Sequence, residues 1–197
     1  MGETEQLLGN REGFYALMDK LIGGVSGRVL EIGAGRGRNF GRFRRDIEWI
    51  GLEPDAARRG VLRQVAAAHG HSGPILSGGA EAITLPDASV DAVVARVVLC
   101  SVADQARVLA EVRRVLRPGG EFIFFEHVAA RAGSWRCWYQ RAWAPLSRRW
   151  DNGCDPTRET WRSINEAGFA EVDMHWFQPT LFLDTDGRYI GGRAVTL

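Results

Sequence analysis

The sequence predicts an α/β fold built on a mostly parallel sheet, and three observations carry that reading. Short apolar runs alternate with stretches of helical periodicity. One run, Val29-Leu30-Glu31-Ile32, passes straight into the glycine-rich turn Gly33-Ala34-Gly35-Arg36-Gly37. Charged or polar residues close most of the runs, at the end where open parallel sheets bind ligands.

The elements follow in order. Phe14, Leu17, Met18 and Leu21 fall at i, i+3, i+4 and i+7, which marks an amphipathic helix stopped by Gly23-Gly24. That helix either lies over the mouth of the ligand site or packs as an ordinary core helix. The first strand and its glycine turn come next. Residues 39–44 are expected to form a short helix with its N-terminal amides toward the ligand. A second strand spans 48–52. Asp55 then caps a helix over 56–69, and Gly73-Pro74 starts a short strand over 75–77. Residues 90–95 are apolar apart from Asp91, as suits a strand buried on both faces. A helix opens near Asp104, runs through Val108, Leu109, Val112, Val115 and Leu116, and stops at Arg117-Pro118-Gly119-Gly120. A fifth strand, 122–125, ends in Glu126-His127.

Residues 131–150 break the alternation. Five of the seven tryptophans lie within 135–161, and Trp135, Trp138, Ala142, Leu146 and Trp150 keep helical spacing with arginines among them. Three readings stand here: an aromatic lid over the pocket, a packed cap, or a surface helix in peripheral contact with a membrane. The lid is favoured. Asp155-Pro156 is expected to cap a helix over 158–167. Strands over 172–177 and 192–196 close the chain, the last antiparallel to its neighbours.

The length of 197 residues fits one domain. Residues 1–24 form an N-terminal helix region, 25–127 a ligand-binding core, 128–161 an aromatic cap, and 162–197 the C-terminal strands. The net charge of +1 argues against a nucleic-acid partner. Cys100, Cys137 and Cys154 include no Cys-x-x-Cys pair, so neither a disulfide framework nor a zinc site is expected, and a reducing cytoplasm fits. His69 and His71 share a glycine-rich turn without a third ligand, and no metal is expected. Residues 1–10 are polar and carry no apolar stretch, so no membrane anchor is expected there.

The chemistry centres on Glu31. A carboxylate two positions before Gly33 does not suit a phosphate cradle. It suits a cationic ligand, and S-adenosylmethionine carries both an amino group and a sulfonium. Gly33, Ala34, Gly35 and Gly37 would let the backbone approach it. Glu53, beside Pro54 at the end of the second strand, is placed for ribose hydroxyls. Nicotinamide-cofactor folds put an acid there too, so Glu53 alone does not separate the two. Ala80-Glu81 is placed for the adenine edge. Arg96 and Val97 should border the methionine portion, and Asn39 and Val98 are further cofactor contacts.

Taken together, Glu31-x-Gly33-x-Gly35-x-Gly37, Glu53-Pro54-Asp55, Ala80-Glu81, Asp91-Ala92-Val93-Val94 and Leu116-Arg117-Pro118-Gly119-Gly120 resemble the class I S-adenosylmethionine-dependent methyltransferases over roughly residues 25–127. Val98-Leu99-Cys100-Ser101-Val102, Glu126-His127-Val128-Ala129-Ala130, Gly153-Cys154 with Thr157-Arg158-Glu159-x-Trp161, and Tyr189 to Val195 are similar to the methyltransferase-like-7 group. Asn152 departs from that group by interrupting its usual Asp-Gly-Cys. The resemblance implies a Rossmann-like fold of seven strands with the last antiparallel, helices on both faces and a Trp-rich cap after strand five. It also implies S-adenosylmethionine as donor, S-adenosylhomocysteine as product, and a small apolar thiol as acceptor. His127 is then the candidate base, or the cation that favours a thiolate, with Asp151 orienting it. Tyr15, Cys100, Glu126, Trp135, Trp138 and Trp143 are the candidate acceptor contacts. The competing functions are an O-, N- or C-methyltransferase of a phenol, quinone or lipid, an NAD-dependent oxidoreductase, and a non-enzymatic adenosylmethionine-binding protein.

Overall fold

The computed structural model describes residues 11–130, 133, 135–150, 153–178 and 188–197. Seven strands form one sheet. They are β1 (Arg28–Ile32), β2 (Glu48–Leu52), β3 (Ile75–Leu76), β4 (Val90–Arg96), β5 (Leu116–Val128), β6 (Glu171–Phe177) and β7 (Arg188–Val195). The helices are α1 (Arg11–Gly24), α2 (Ala56–Ala68), α3 (Gln105–Val115), α4 (Trp135–Trp150) and α5 (Thr160–Glu166).

The spatial order is β3-β2-β1-β4-β5-β7-β6. The first five of these strands pair in parallel, and β7 runs antiparallel to both β5 and β6. The chain turns back on itself between β1 and β4, the switch point where ligands of such sheets bind. This is a Rossmann-like architecture, and the reversed last strand is the one expected.

Alternation along the strands builds a core on each face. Leu30, Ile32, Ile50, Leu52, Val93, Ala95, Phe122 and Phe124 pack with α3 and α5. Val29, Trp49, Ala92, Val94, Ile123 and Phe125 face the other way, against α1 and α2. Two predicted caps are present. Asp55 accepts from the N–H groups of Ala57 and Arg58 at 2.8 and 3.1 Å. Asp104 accepts from Arg107 at 3.0 Å.

Three local expectations are corrected. Residues 39–44 form a run of turns rather than a helix. The Asn39 side chain is drawn to Glu31, and Phe40 and Phe43 are buried against the sheet. So short a segment cannot nucleate a helix against those demands. Leu116 does not extend α3 but starts β5, pairing with Val90 across a register shift. Asp155 does not cap a helix at 158. Its carboxylate accepts from the N–H and hydroxyl of Thr157 at 3.0 and 2.6 Å, and α5 begins only at Thr160. The chain is detained there because Asp155 N–H donates to the Cys100 carbonyl at 3.0 Å. Among the described residues no helix is long and apolar enough to cross a membrane.

Candidate active site

The glycine turn at the end of β1 is shaped by contact as much as by conformation. Gly33 has φ +60°, and a Cβ there would lie 2.5 Å from Val98. A Cβ on Gly35, at φ +59°, would meet nothing closer than 3.8 Å and would stand in the open cleft. The Gly35 N–H donates to Glu53 Oε2 at 2.8 Å, and the Asp55 N–H donates to Oε1 at 3.0 Å. Each Glu53 oxygen keeps a lone pair for a further donor.

Two cavities open on this turn. The first, about 360 Å³, is lined by Glu53, Pro54, Ala80, Glu81, Val98 and Cys154, among others. The second, about 530 Å³, is lined by Glu31, Ala34, Gly35, Asn39 and Arg96, among others. Gly33, Arg58 and Val97 belong to both walls, so the two meet at the turn. Both sizes suit a small ligand.

In the second cavity, Arg96 Nη1 donates to Asn39 Oδ1 at 3.3 Å, and Asn39 Nδ2 donates to Glu31 Oε1 at 2.8 Å. Trp49 Nε1 donates to Glu31 Oε2 at 2.9 Å. Burial pushes the Glu31 carboxyl up to about 7, against the opposing pull of those two hydrogen bonds and of Arg96. In the first cavity, Glu81 accepts from the Ala103 N–H at 3.0 Å, which locks the loop after β3 to the start of α3.

The loop after β4 is held under strain. Val97 takes φ +55°, a conformation costly for a β-branched residue. Its N–H donates to the Phe125 carbonyl at 2.8 Å. The next N–H, of Val98, donates to the Glu126 carboxylate at 3.0 Å. Leu99 and Cys100 donate to the same group, while burial pushes its carboxyl up to about 7.

Placement of the sequence candidates divides cleanly. Glu31, Gly33, Ala34, Gly35, Asn39, Glu53, Pro54, Ala80, Glu81, Arg96, Val97 and Val98 all line one cavity or both. Gly37 does not. Its Cβ would collide with Phe40 at 2.7 Å, so its task is packing. Of the acceptor candidates, Glu126 and Cys100 are fully buried and line neither cavity. Glu126 instead positions the Val98–Cys100 backbone. Tyr15 lines neither cavity and lies near Arg11 and Arg42. Trp135, Trp138 and Trp143 are 67%, 74% and 49% exposed and line neither cavity, so they form no lid over either one here. Their helix docks instead through Gln140 and Ala144. His127 stands one side chain behind the wall, with Nδ1 3.8 Å from Cys154 Sγ and its ring stacked on Tyr189. Asp151 lies outside the described residues. Arg58 was missed, although its place one turn inside a helix that starts at the site would have signalled it.

Comparison with known proteins agrees with this geometry. Residues 30–124 match the family model described as a methyltransferase domain. The chain is 38% identical over 181 residues to the human thiol S-methyltransferase TMT1B, covering 89% of this chain and 74% of that protein. It is 33% identical over 197 residues to human thiol S-methyltransferase TMT1A, covering 98% and 80%. The solved cyclase SpnF superposes with a TM-score of 0.74 at 19% identity, covering 98% of this chain and 84% of that one. That likeness establishes the fold alone, since one fold hosts several chemistries. The chain belongs to the thiol S-methyltransferase family of class I S-adenosylmethionine-dependent methyltransferases.

Proposed function

We propose that the two joined cavities hold S-adenosylmethionine and that a small apolar thiol is methylated at the Cys154 side. The observation that carries this is the order of groups along the cleft: Glu31, Asn39 and Arg96 at one end, Glu53 in the middle and Glu81 at the other. The residues fit the cofactor. Glu31 offers a carboxylate to its amino group, and Arg96 a cation to its carboxylate. Glu53 has acceptor capacity left for ribose hydroxyls, and Gly35 leaves open the space that a side chain would fill. Ala80 and Glu81 border the adenine, and Gly33, Ala34, Pro54, Val97 and Val98 complete the walls.

The bound cofactor supplies an electrophilic methyl group on a sulfonium. The protein's task is then to hold donor and acceptor in line and to exclude water, a contribution of roughly 7–11 kcal/mol when orientation is good. Val97, Val98, Val102 and Cys154 give the acceptor side an apolar wall. A thiol reacts as thiolate and ionises near pKa 8.5, so modest help suffices. His127, behind Cys154, favours the thiolate when protonated. The exposed tryptophans of α4, the next element after β5, support peripheral contact with an apolar or membrane surface. With no Cys-x-x-Cys pair among its three cysteines, the chain fits a reducing, cytoplasmic setting.

The test is release of S-adenosylhomocysteine from S-adenosylmethionine with matched thiols, alcohols and phenols. Turnover confined to thiols is expected. Turnover confined to hydroxyl acceptors would remove the thiol assignment while leaving fold and cofactor intact.

A further inference from the structure

Cys100 and Cys154 are 54 residues apart in sequence, yet their sulfurs lie 3.4 Å apart. The approach is built into the backbone. The Asp155 N–H donates to the Cys100 carbonyl at 3.0 Å. Gly153, at φ +86°, passes so close that a Cβ there would lie 3.2 Å from the Ser101 carbonyl. Arg158 clamps the same loop, donating to the carbonyls of Leu99 and Val102 at 3.3 and 2.6 Å.

The two thiols have different surroundings. Cys154 lines the first cavity and meets His127 Nδ1 at 3.8 Å. Cys100 sits behind it with no exposure. Contact with Cys154, burial and the nearby Glu126 carboxylate all push the Cys100 thiol up in the resting pair, and the first of these, contact with the Cys154 thiol, ends once Cys154 is taken into a mixed disulfide. Among the described residues His127 Nε2 is buried without a hydrogen-bond partner. A cavity-lining thiol, 3% exposed, beside an imidazole and backed by a second thiol with no exposure is the arrangement of an attacking and a resolving cysteine.

We propose that Cys154 and Cys100 form a thiol–disulfide exchange site on the acceptor side of the cavity, taking small organic disulfides. Cys154 gives its proton to His127, and its thiolate attacks one sulfur of the disulfide RSSR. The Cys154–SR bond forms as the S–S bond breaks, and RS⁻ leaves to take up the proton. Cys100 then attacks Cys154 Sγ as its proton passes to the RS⁻ that this attack displaces, so the Cys100–Cys154 bond forms while the Cys154–SR bond breaks. The balance is two protein thiols plus RSSR giving one Cys100–Cys154 disulfide plus two RSH. The organic disulfide is the only oxidant needed. Closure to a bond of about 2.05 Å staples the loop after β4 to the segment before α5, both of which border the cavity. The released molecules are thiols, the acceptor class proposed above, but the exchange rests on the sulfur geometry and not on methyl transfer.

The experiment uses the reduced full chain and glutathione disulfide without oxygen, following released glutathione and mapping the products by peptide mass. Wild type and Cys137→Ser are expected to release both glutathione halves and to end with a Cys100–Cys154 crosslink free of adduct, reversed by dithiothreitol. Cys100→Ala should stop with one glutathione on Cys154, and Cys154→Ala should give no adduct or crosslink at the pair. Saturating S-adenosylhomocysteine should slow the exchange on the order of tenfold by restricting access to Cys154. A lasting glutathione adduct on wild-type Cys154, a crosslink through Cys137, or no reaction at all would overturn the proposal. The wild-type and Cys137→Ser arms need no substitution in the core, so they decide the matter even if a variant fails to fold. Because no methyl transfer is read, failure here leaves the proposed function standing, and failure of that function leaves this result interpretable.

Discussion

The ends of β1 and β2 and the helix that follows β5 are held to the fold in opposite ways. At the strand ends the carboxylates are tied on both oxygens: Glu31 by Asn39 and Trp49, Glu53 by the backbone of Gly35 and Asp55. The geometry is in place before a ligand arrives, which is how a site avoids reorganisation at the moment of reaction. α4 instead turns three tryptophans outward and docks through Gln140, whose carbonyl accepts from the Ala130 N–H at 2.7 Å, and through the small Ala144. A site of fixed polar geometry thus sits beside an aromatic surface that the rest of the described chain does not cover. Substitutions in the first region should therefore be costly, and those in the second mild.

The largest effect is expected at Glu126. Glu126→Ala removes the acceptor from three buried N–H groups under the loop after β4. It should cost about 3 kcal/mol or more in urea unfolding, since each orphaned buried donor costs about 1–3 kcal/mol. A Glu126→Ala protein of wild-type stability would show that the loop is held by its neighbours alone. Next comes Glu53→Ala, which loosens the glycine turn and removes the proposed ribose acceptor. Its S-adenosylhomocysteine affinity by calorimetry should fall roughly tenfold to a hundredfold, at about 1.5–3 kcal/mol for hydrogen bonds to a charged group.

The third prediction concerns pH. The folded pKa of Glu31, about 7, lies above its ordinary value of 4.5. The folded chain therefore binds that proton more tightly than the unfolded chain. The stabilisation this gives is full below 4.5 and is lost as pH rises toward about 7. An ammonium ligand has the opposite need, because it requires the carboxylate. S-adenosylhomocysteine affinity should thus be level from about pH 8 until the ligand's own ammonium loses its proton, and drop up to about tenfold per pH unit below 7, and Glu31→Gln should flatten that slope. A pH-independent wild-type affinity would place the amino group elsewhere. The smallest effect is expected at Trp138→Ala. Stability should stay within about 0.5 kcal/mol, and cofactor affinity and KM for an apolar thiol should be unchanged, because Trp138 lines neither cavity. A raised KM would bring α4 into acceptor capture.

What could be read from the sequence alone had local causes. Short apolar runs placed the strands, Asp55 and Asp104 announced their helices, and a carboxylate ahead of closely spaced glycines marked the end of β1 where the cleft opens. Twelve of the thirteen cofactor-site candidates line the cleft, because the carboxyl ends of neighbouring parallel strands must converge at one edge of the sheet. What only the tertiary structure decided depends on which distant segments meet. Glu126 looked like a ligand-facing acid, but β4 lies beside β5 and offers its loop amides first. Residues 39–44 had the composition of a short helix, yet Glu31 and the aromatic core claimed their side chains. Asp155 looked like a cap until the Cys100 carbonyl engaged its backbone, and the same contact brought together two cysteines that no spacing rule connects. Sequence periodicity reports only neighbours within a turn or a pleat, whereas these residues answer to partners 8 to 54 positions away that the tertiary fold selects.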